Sequence, residues 1–193
     1  CSVGEDNTVA MAEVERLLGN GGYCAVGEIG IDLYWDKTFL KQQQDVFQQH
    51  VRWAKELRLP IVIHCRESFQ ETLAIVEEEK DEHLRGIFHC FNGDVTIGRR
   101  ILALDGFLFG IGGVITYPKS GLAQTMSELG AERCVLETDA PYLSPVPHRG
   151  KRNESSYIPL VAAELAKATG RSIDDIAQLT TANAEQLFHS NHG

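Results

Sequence analysis

The sequence predicts an α/β fold of the (β/α)8, TIM-barrel type, and three observations predict it. Short apolar runs of strand length alternate with segments whose apolar residues recur at helical spacing. The runs are continuous rather than alternating, as in parallel strands covered on both faces. Four runs carry a carboxylate or an imidazole at their tips: Glu28, His64, His89 and Asp139. Chemistry-bearing residues at the C-terminal ends of strands are the layout of such barrels.

The elements follow in order. Glu13–Leu18 reads as a short helix ending at Gly19, and Tyr23–Gly27 as a strand. Thr38–Leu57 is a long helix, because Phe39, Gln43, Val46, Phe47, His50, Ala54 and Leu57 share one face. Pro60 bars its continuation. Ile61–His64 is a strand, Ser68–Glu79 a helix, Gly86–His89 a strand and Val95–Leu104 a helix. Phe107–Gly112 and Arg133–Glu137 are strands on either side of a helix at Leu122–Leu129. Ile158–Thr169 is helical, since Ile158, Val161, Ala162 and Leu165 share a face. Ser172 with Asp175 reads as a capping box before a further helix, and Thr181–Phe188 closes the chain. Five strands are counted, six if Cys1–Gly4 ends one. A closed eight-stranded barrel takes about 250 residues, about 200 at the low end. The 193 residues read as one domain, 1–193, either an open doubly wound sheet or a barrel N-terminally incomplete in this chain.

Composition narrows the class. The chain is 43% hydrophobic and 23% charged, as expected of a soluble globular domain with a sizeable core. No apolar run approaches the roughly 18–20 residues that span a bilayer, and no signal-peptide pattern opens the chain. Cys24, Cys65, Cys90 and Cys134 lie in or beside apolar runs and read as buried free thiols. Together with an odd count of five and no CxxC, they suit a reducing, cytoplasmic location. Cys65 and Cys90 each follow a candidate ligand His. Strand neighbours point to opposite faces, so the thiols are expected to point away from the site. A net charge of −9 excludes a broad nucleic-acid-coating surface, which is usually basic. Contact with nucleic acid would be local, through bound metal and the stretch His148–Arg152.

Glu28, His64, His89 and Asp139 are separated by gaps that each fit one or two βα units. Neutral imidazole with carboxylate suits Zn²⁺, Mn²⁺ or Mg²⁺ rather than Ca²⁺. A carboxylate such as Glu28 can bridge two ions, and Asp139 can ligate one and orient or deprotonate its water. Such a pair of ions suits phosphodiester hydrolysis. Arg66 either holds a phosphate or pairs with Glu67 or Glu71. Arg149 and Asn153 lie in the Pro/Gly-rich loop after Asp139, where substrate contact is expected. Tyr34 and Trp35 either stack a base or pack locally. Gly110, Gly112 and Gly113 are read as permitting a tight bend near the site.

Several segments together resemble the TatD family of metal-dependent deoxyribonucleases. They are Gly27-Glu28-Ile29-Gly30-Ile31-Asp32, Ile63-His64-Cys65-Arg66, His89-Cys90-Phe91-Asn92-Gly93 and Glu137-Thr138-Asp139-Ala140-Pro141-Tyr142-Leu143. The segments from Pro147 to Glu154 and from Thr181 to Phe188 share the likeness. The resemblance implies an amidohydrolase-type barrel and exonucleolytic, divalent-metal hydrolysis of DNA. It implies that Glu28, His64, His89 and Asp139 bind metal, and that Asp139 also serves the nucleophilic water. The family also opens with a strand bearing His-x-His, and no two of the seven histidines here stand two apart. The first two to three strands are therefore expected to precede Cys1. A protein lacking them is expected to be unstable or oligomeric and weakly active. Asn92 and Ser155 depart from the residues usual there. The alternatives are a small-molecule amidohydrolase or lactonase on the same scaffold, or an inactive barrel fragment.

Overall fold

The computed structural model describes residues 3–189. They fall into two compact units, 3–87 with 187–189 and 88–186. Of the segment read as a possible sixth strand, Cys1 and Ser2 lie outside the described residues, and Val3 and Gly4 carry no strand.

The first unit runs α1 (Thr8–Gly19), β1 (Val26–Asp32), α2 (Leu40–Glu56), β2 (Ile61–Arg66), α3 (Phe69–Glu79) and then into β3 (Gly86–Phe88). The strand order is β1-β2-β3, and β1 pairs with β2 in parallel. A parallel pair needs a crossover, and α2 supplies it. The helix buries Gln43, Phe47, Val51 and Ala54. Val51 was not on the face read from the sequence, and Leu57 is exposed. Strand β2 alternates between buried Ile61, Ile63 and Cys65 and half-buried Val62, His64 and Arg66. Gln43 fixes the end of β1: its Oε1 accepts from the Asp32 N–H at 2.8 Å and its Nε2 donates to the Asp32 carbonyl at 3.1 Å.

Strand β1 lies three to five residues later than the sequence suggested, and the cause is a bulge. Val26 and Gly27 pair with Ile61 and Val62, but the next pair is Ile29 with Ile63. Glu28 is the extra residue. Beyond it Gly30 pairs with His64. Gly30 has φ +144° and a Cβ there would overlap the His64 carbonyl, so only glycine serves.

The second unit begins in β3. It continues with α4 (Val95–Ala103), β4 (Phe107–Ile111), a 3₁₀ turn at Gly113–Thr116, α5 (Leu122–Leu129) and β5 (Cys134–Leu136). A second 3₁₀ turn at Ser155–Tyr157 leads into α6 (Ile158–Thr169) and then α7 (Ile173–His189). The order is β3-β4-β5, with β4 and β5 parallel. Aromatic rings fill its core: Phe88 lies 5.7 Å from Phe107 and Phe91 lies 4.7 Å from Phe109, centroid to centroid. Asp94 caps α4 by accepting the Ile97 N–H at 2.9 Å. Ser172 and Asp175 form the expected capping box, at 3.0 and 3.3 Å. The helix it starts is a single one reaching His189, not two short ones.

Every strand described is flanked by helices, so the expected α/β fold with a parallel sheet is present. Among the described residues no helix is long and apolar enough to cross a membrane. The four described cysteines are free. Cys65 and Cys134 are buried as expected, whereas Cys24 is exposed and Cys90 half-buried, because neither lies on an inward-facing strand position.

Candidate metal centre

In the first unit β1 and β2 bring three site side chains together. His64 Nδ1 lies 2.7 Å from Glu28 Oε1, and its Nε2 lies 2.9 Å from Asp32 Oδ2. The register explains the second contact. Gly30, His64, Asp32 and Arg66 share one face of the β1–β2 pair, opposite the buried isoleucines. The bulge carries Glu28 to the same ring. Carboxylates only accept, so both contacts are hydrogen bonds only when the ring carries both protons. A divalent cation can replace such a proton. Burial alone would raise the Asp32 carboxyl, but the Tyr34 N–H and the His64 ring hold it below its ordinary value.

Arg66 does not pair with Glu67 or Glu71. Its guanidinium lies over the Tyr34 ring, 3.7 Å from the centroid, and 5.9 Å from that of Trp35. Tyr34 and Trp35 are exposed and meet edge to face at 4.6 Å.

In the second unit β3 ends at Phe88, so His89 and Cys90 stand in a turn. His89 Nδ1 lies 2.7 Å from Glu137 Oε2, and Nε2 lies 3.7 Å from Asp139 Oδ1. The Cys90 N–H donates to Glu137 Oε1 at 2.5 Å. Glu137 thus fixes the His89 tautomer with the proton on Nδ1, as outer carboxylates do around metal-bound histidines. Gly110 makes room for it, since a Cβ there would stand 2.6 Å from Glu137 Oε2.

His89, Cys90 and Glu137 each offer an atom within 4.8 Å of the others, a group able to hold a metal ion. Strand alternation was expected to turn Cys90 away. It does not apply, because Cys90 lies past the strand with φ +46°. For Cys65, inside β2 and buried, the alternation holds.

The loop after Asp139 is tied down. Asn153 is 2% exposed; its Nδ2 donates to the carbonyls of Thr138 and Tyr142, both at 2.6 Å, and its Oδ1 accepts the Glu154 N–H. It closes the loop from within, because unpaired loop carbonyls would be costly to bury. Arg149 projects from the loop over the Tyr117 ring at 4.4 Å, and the His148 ring stacks on Tyr157 at 4.2 Å. The glycines at 110–113 lead into the 3₁₀ turn, where Thr116 Oγ1 accepts the Val146 N–H at 2.9 Å.

Two acids were not singled out from the sequence, Asp32 and Glu137. The signal was proximity in sequence: Glu137 stands two before Asp139 and Asp32 four after Glu28.

Residues 2–189 match the family model described as TatD related DNase. The chain belongs to the TatD family. This TatD-family protein is 36% identical over 182 residues to the uncharacterized metal-dependent hydrolase YabD of Bacillus subtilis, covering 94% of this chain and 71% of that protein. It is 31% identical over 191 residues to the 3'-5' ssDNA/RNA exonuclease TatD of Cronobacter sakazakii, covering 96% of this chain and 72% of the relative. The crystal structure of YJJV, the TatD homologue of Escherichia coli K12, superposes with a TM-score of 0.89 at 28% identity, over 96% of this chain and 72% of that one. The TatD-family protein is thus a member of a family of metal-dependent hydrolases with the parallel α/β fold of its barrel-forming neighbours.

Proposed function

We propose that this chain is a divalent-metal-dependent hydrolase of DNA phosphodiester bonds, working as a 3′–5′ exonuclease. The observation that carries the reading is an imidazole set between carboxylates in each unit: His64 with Glu28 and Asp32, His89 with Glu137 and Asp139. The donor set fits the ions such a reaction uses, because nitrogen and oxygen donors together suit Mg²⁺, Mn²⁺ or Zn²⁺. Glu28, His64, His89 and Asp139 would hold them, two ions in all. When bound, they supply an activated water and stabilise charge on the phosphate.

The remaining work falls to the chain itself. Asp139 accepts the proton of the attacking water. Glu28 is the second catalytic carboxylate and Asp32 orients the His64 ring. Glu137 keeps the His89 proton on Nδ1. Arg66 and Arg149, each against an aromatic ring, offer positive charge to the DNA phosphates in a chain of net charge −9. Asn153 acts from inside the loop, holding the backbone that bears Arg149.

The test is hydrolysis of an end-labelled single-stranded oligonucleotide with Mg²⁺ or Mn²⁺, with EDTA, and with Asp139→Asn. A ladder growing from the 3′ end, lost with EDTA and in the variant, is the expected result. Absence of cleavage under every metal condition would defeat the reading.

A further inference from the structure

Beside the His64 cluster stand two exposed rings to which the hydrolytic reading gives no role, next to the Arg66 that it does use. Trp35 is 82% exposed and Tyr34 45%. Tryptophan is highly buried on average, so one this exposed, with a second ring against its edge, calls for a partner. The pair is not a loose flap. The Tyr34 N–H donates to Asp32 Oδ1 at 2.9 Å, while Asp32 Oδ2 holds the His64 ring at 2.9 Å. A single carboxylate therefore links the rings to the site. The Leu33 N–H donates to the Arg66 carbonyl at 2.9 Å, and the Thr38 N–H closes a turn on Asp36 Oδ1 at 2.8 Å. One face of Tyr34 is covered by the Arg66 guanidinium. Among the described residues no ion pair compensates that charge, so it is available to an anion.

Open aromatic faces beside an uncompensated guanidinium are complementary to a nucleotide, a flat ring joined to a phosphate. We propose that Trp35 and Tyr34 form a base-stacking platform for single-stranded DNA, with Arg66 taking the adjoining phosphate. Resting on the nuclease reading for the choice of ligand, the platform would select strands whose bases are unpaired, since a base inside a duplex keeps its faces covered.

Fluorescence anisotropy of labelled hexathymidylate, compared with a hexamer of abasic sites carrying the same charge, tests this in EDTA, where no turnover occurs. Loss of one stacking ring typically weakens binding about 5- to 150-fold. The full chain should bind hexathymidylate at least about tenfold more tightly than the abasic hexamer. Trp35→Ala should erase that preference while leaving abasic binding unchanged, and Trp35→Phe should keep most of it. Equal binding of the two hexamers, no binding of either, or a preference untouched by Trp35→Ala overturns the proposal. Hydrolysis of hexathymidylate in Mn²⁺ is read in parallel. Cleavage without base preference removes the platform and keeps the nuclease; base preference without cleavage does the reverse.

Discussion

Replacing Gly110 by alanine tests whether the Glu137 carboxylate is as tightly seated as its contacts imply. The added Cβ would stand 2.6 Å from Oε2, 2.9 Å from Cδ and 3.2 Å from Oε1, so its three nearest neighbours all belong to Glu137. Ordinary contact begins near 3.4 Å, so the carboxylate must retreat by about 0.8 Å. It is held by the Cys90 N–H at 2.5 Å and His89 Nδ1 at 2.7 Å. Hydrogen bonds to a charged group contribute about 1.5–3 kcal/mol each. Losing one and stretching the other predicts a cost of about 2–4 kcal/mol for Gly110→Ala. Glu137→Ala should cost about as much, because it removes both bonds. In the Glu137→Ala background Gly110→Ala should be neutral to within about 1 kcal/mol, since the obstacle is gone and alanine lowers unfolded-chain entropy. The coupling energy in this cycle is then about 1 kcal/mol or more. Urea unfolding followed by circular dichroism measures all four proteins. An equal cost of Gly110→Ala in both backgrounds would refute the reasoning, placing the conflict elsewhere.

Other expectations rest on single features. Phe47 is fully buried in α2, so Phe47→Ala should lower unfolding free energy by about 3–5 kcal/mol, read from the same urea curves. Glu79 feels burial, which raises its pKa, but its pairs with Arg52 and Lys55 prevail and hold it below its ordinary value. The unfolded state therefore takes up the proton first as pH falls. This contribution is complete above the usual carboxylate range and fades below it, so melting temperature should drop between about pH 5 and pH 3, less steeply in Glu79→Gln. An unchanged slope in the variant would count against this pair. Burial pushes the thiols of Cys65 and Cys134 up, whereas Cys24 is exposed. Iodoacetamide mapped by mass spectrometry should modify Cys24 well before Cys65 and Cys134, which stay unlabelled until unfolding; early labelling of Cys134 would contradict the packing.

The sequence was most legible where period and punctuation agreed. The Leu122–Leu129 and Ile158–Thr169 helices stand where their apolar spacing put them, and Ser172 with Asp175 caps as read. Legibility failed where local geometry departs from a regular period. The bulge at Glu28 breaks the alternation of β1, so the strand was read too early. The left-handed turn at Cys90 removes the side-chain alternation that was assumed for it. The ligand types were readable because His64, His89 and Asp139 follow apolar runs. Their supporting acids were not, since Asp32 and Glu137 acquire meaning only from the rings they touch. The sequence places Asn153 in the loop after Asp139, but only contacts reveal that its amide faces inward.

The bulge in β1 also bears on how such a strand acquires chemistry. Val26, Ile29 and Ile31 align with Ile61, Ile63 and Cys65 on the buried face only because Glu28 is counted out of the ladder. Excising that single codon would leave Val-Gly-Ile-Gly-Ile, a regular strand in the same hydrophobic phase. The acid therefore stands outside the hydrophobic ladder, and the buried face of β1 keeps phase with β2 whatever side chain occupies that position.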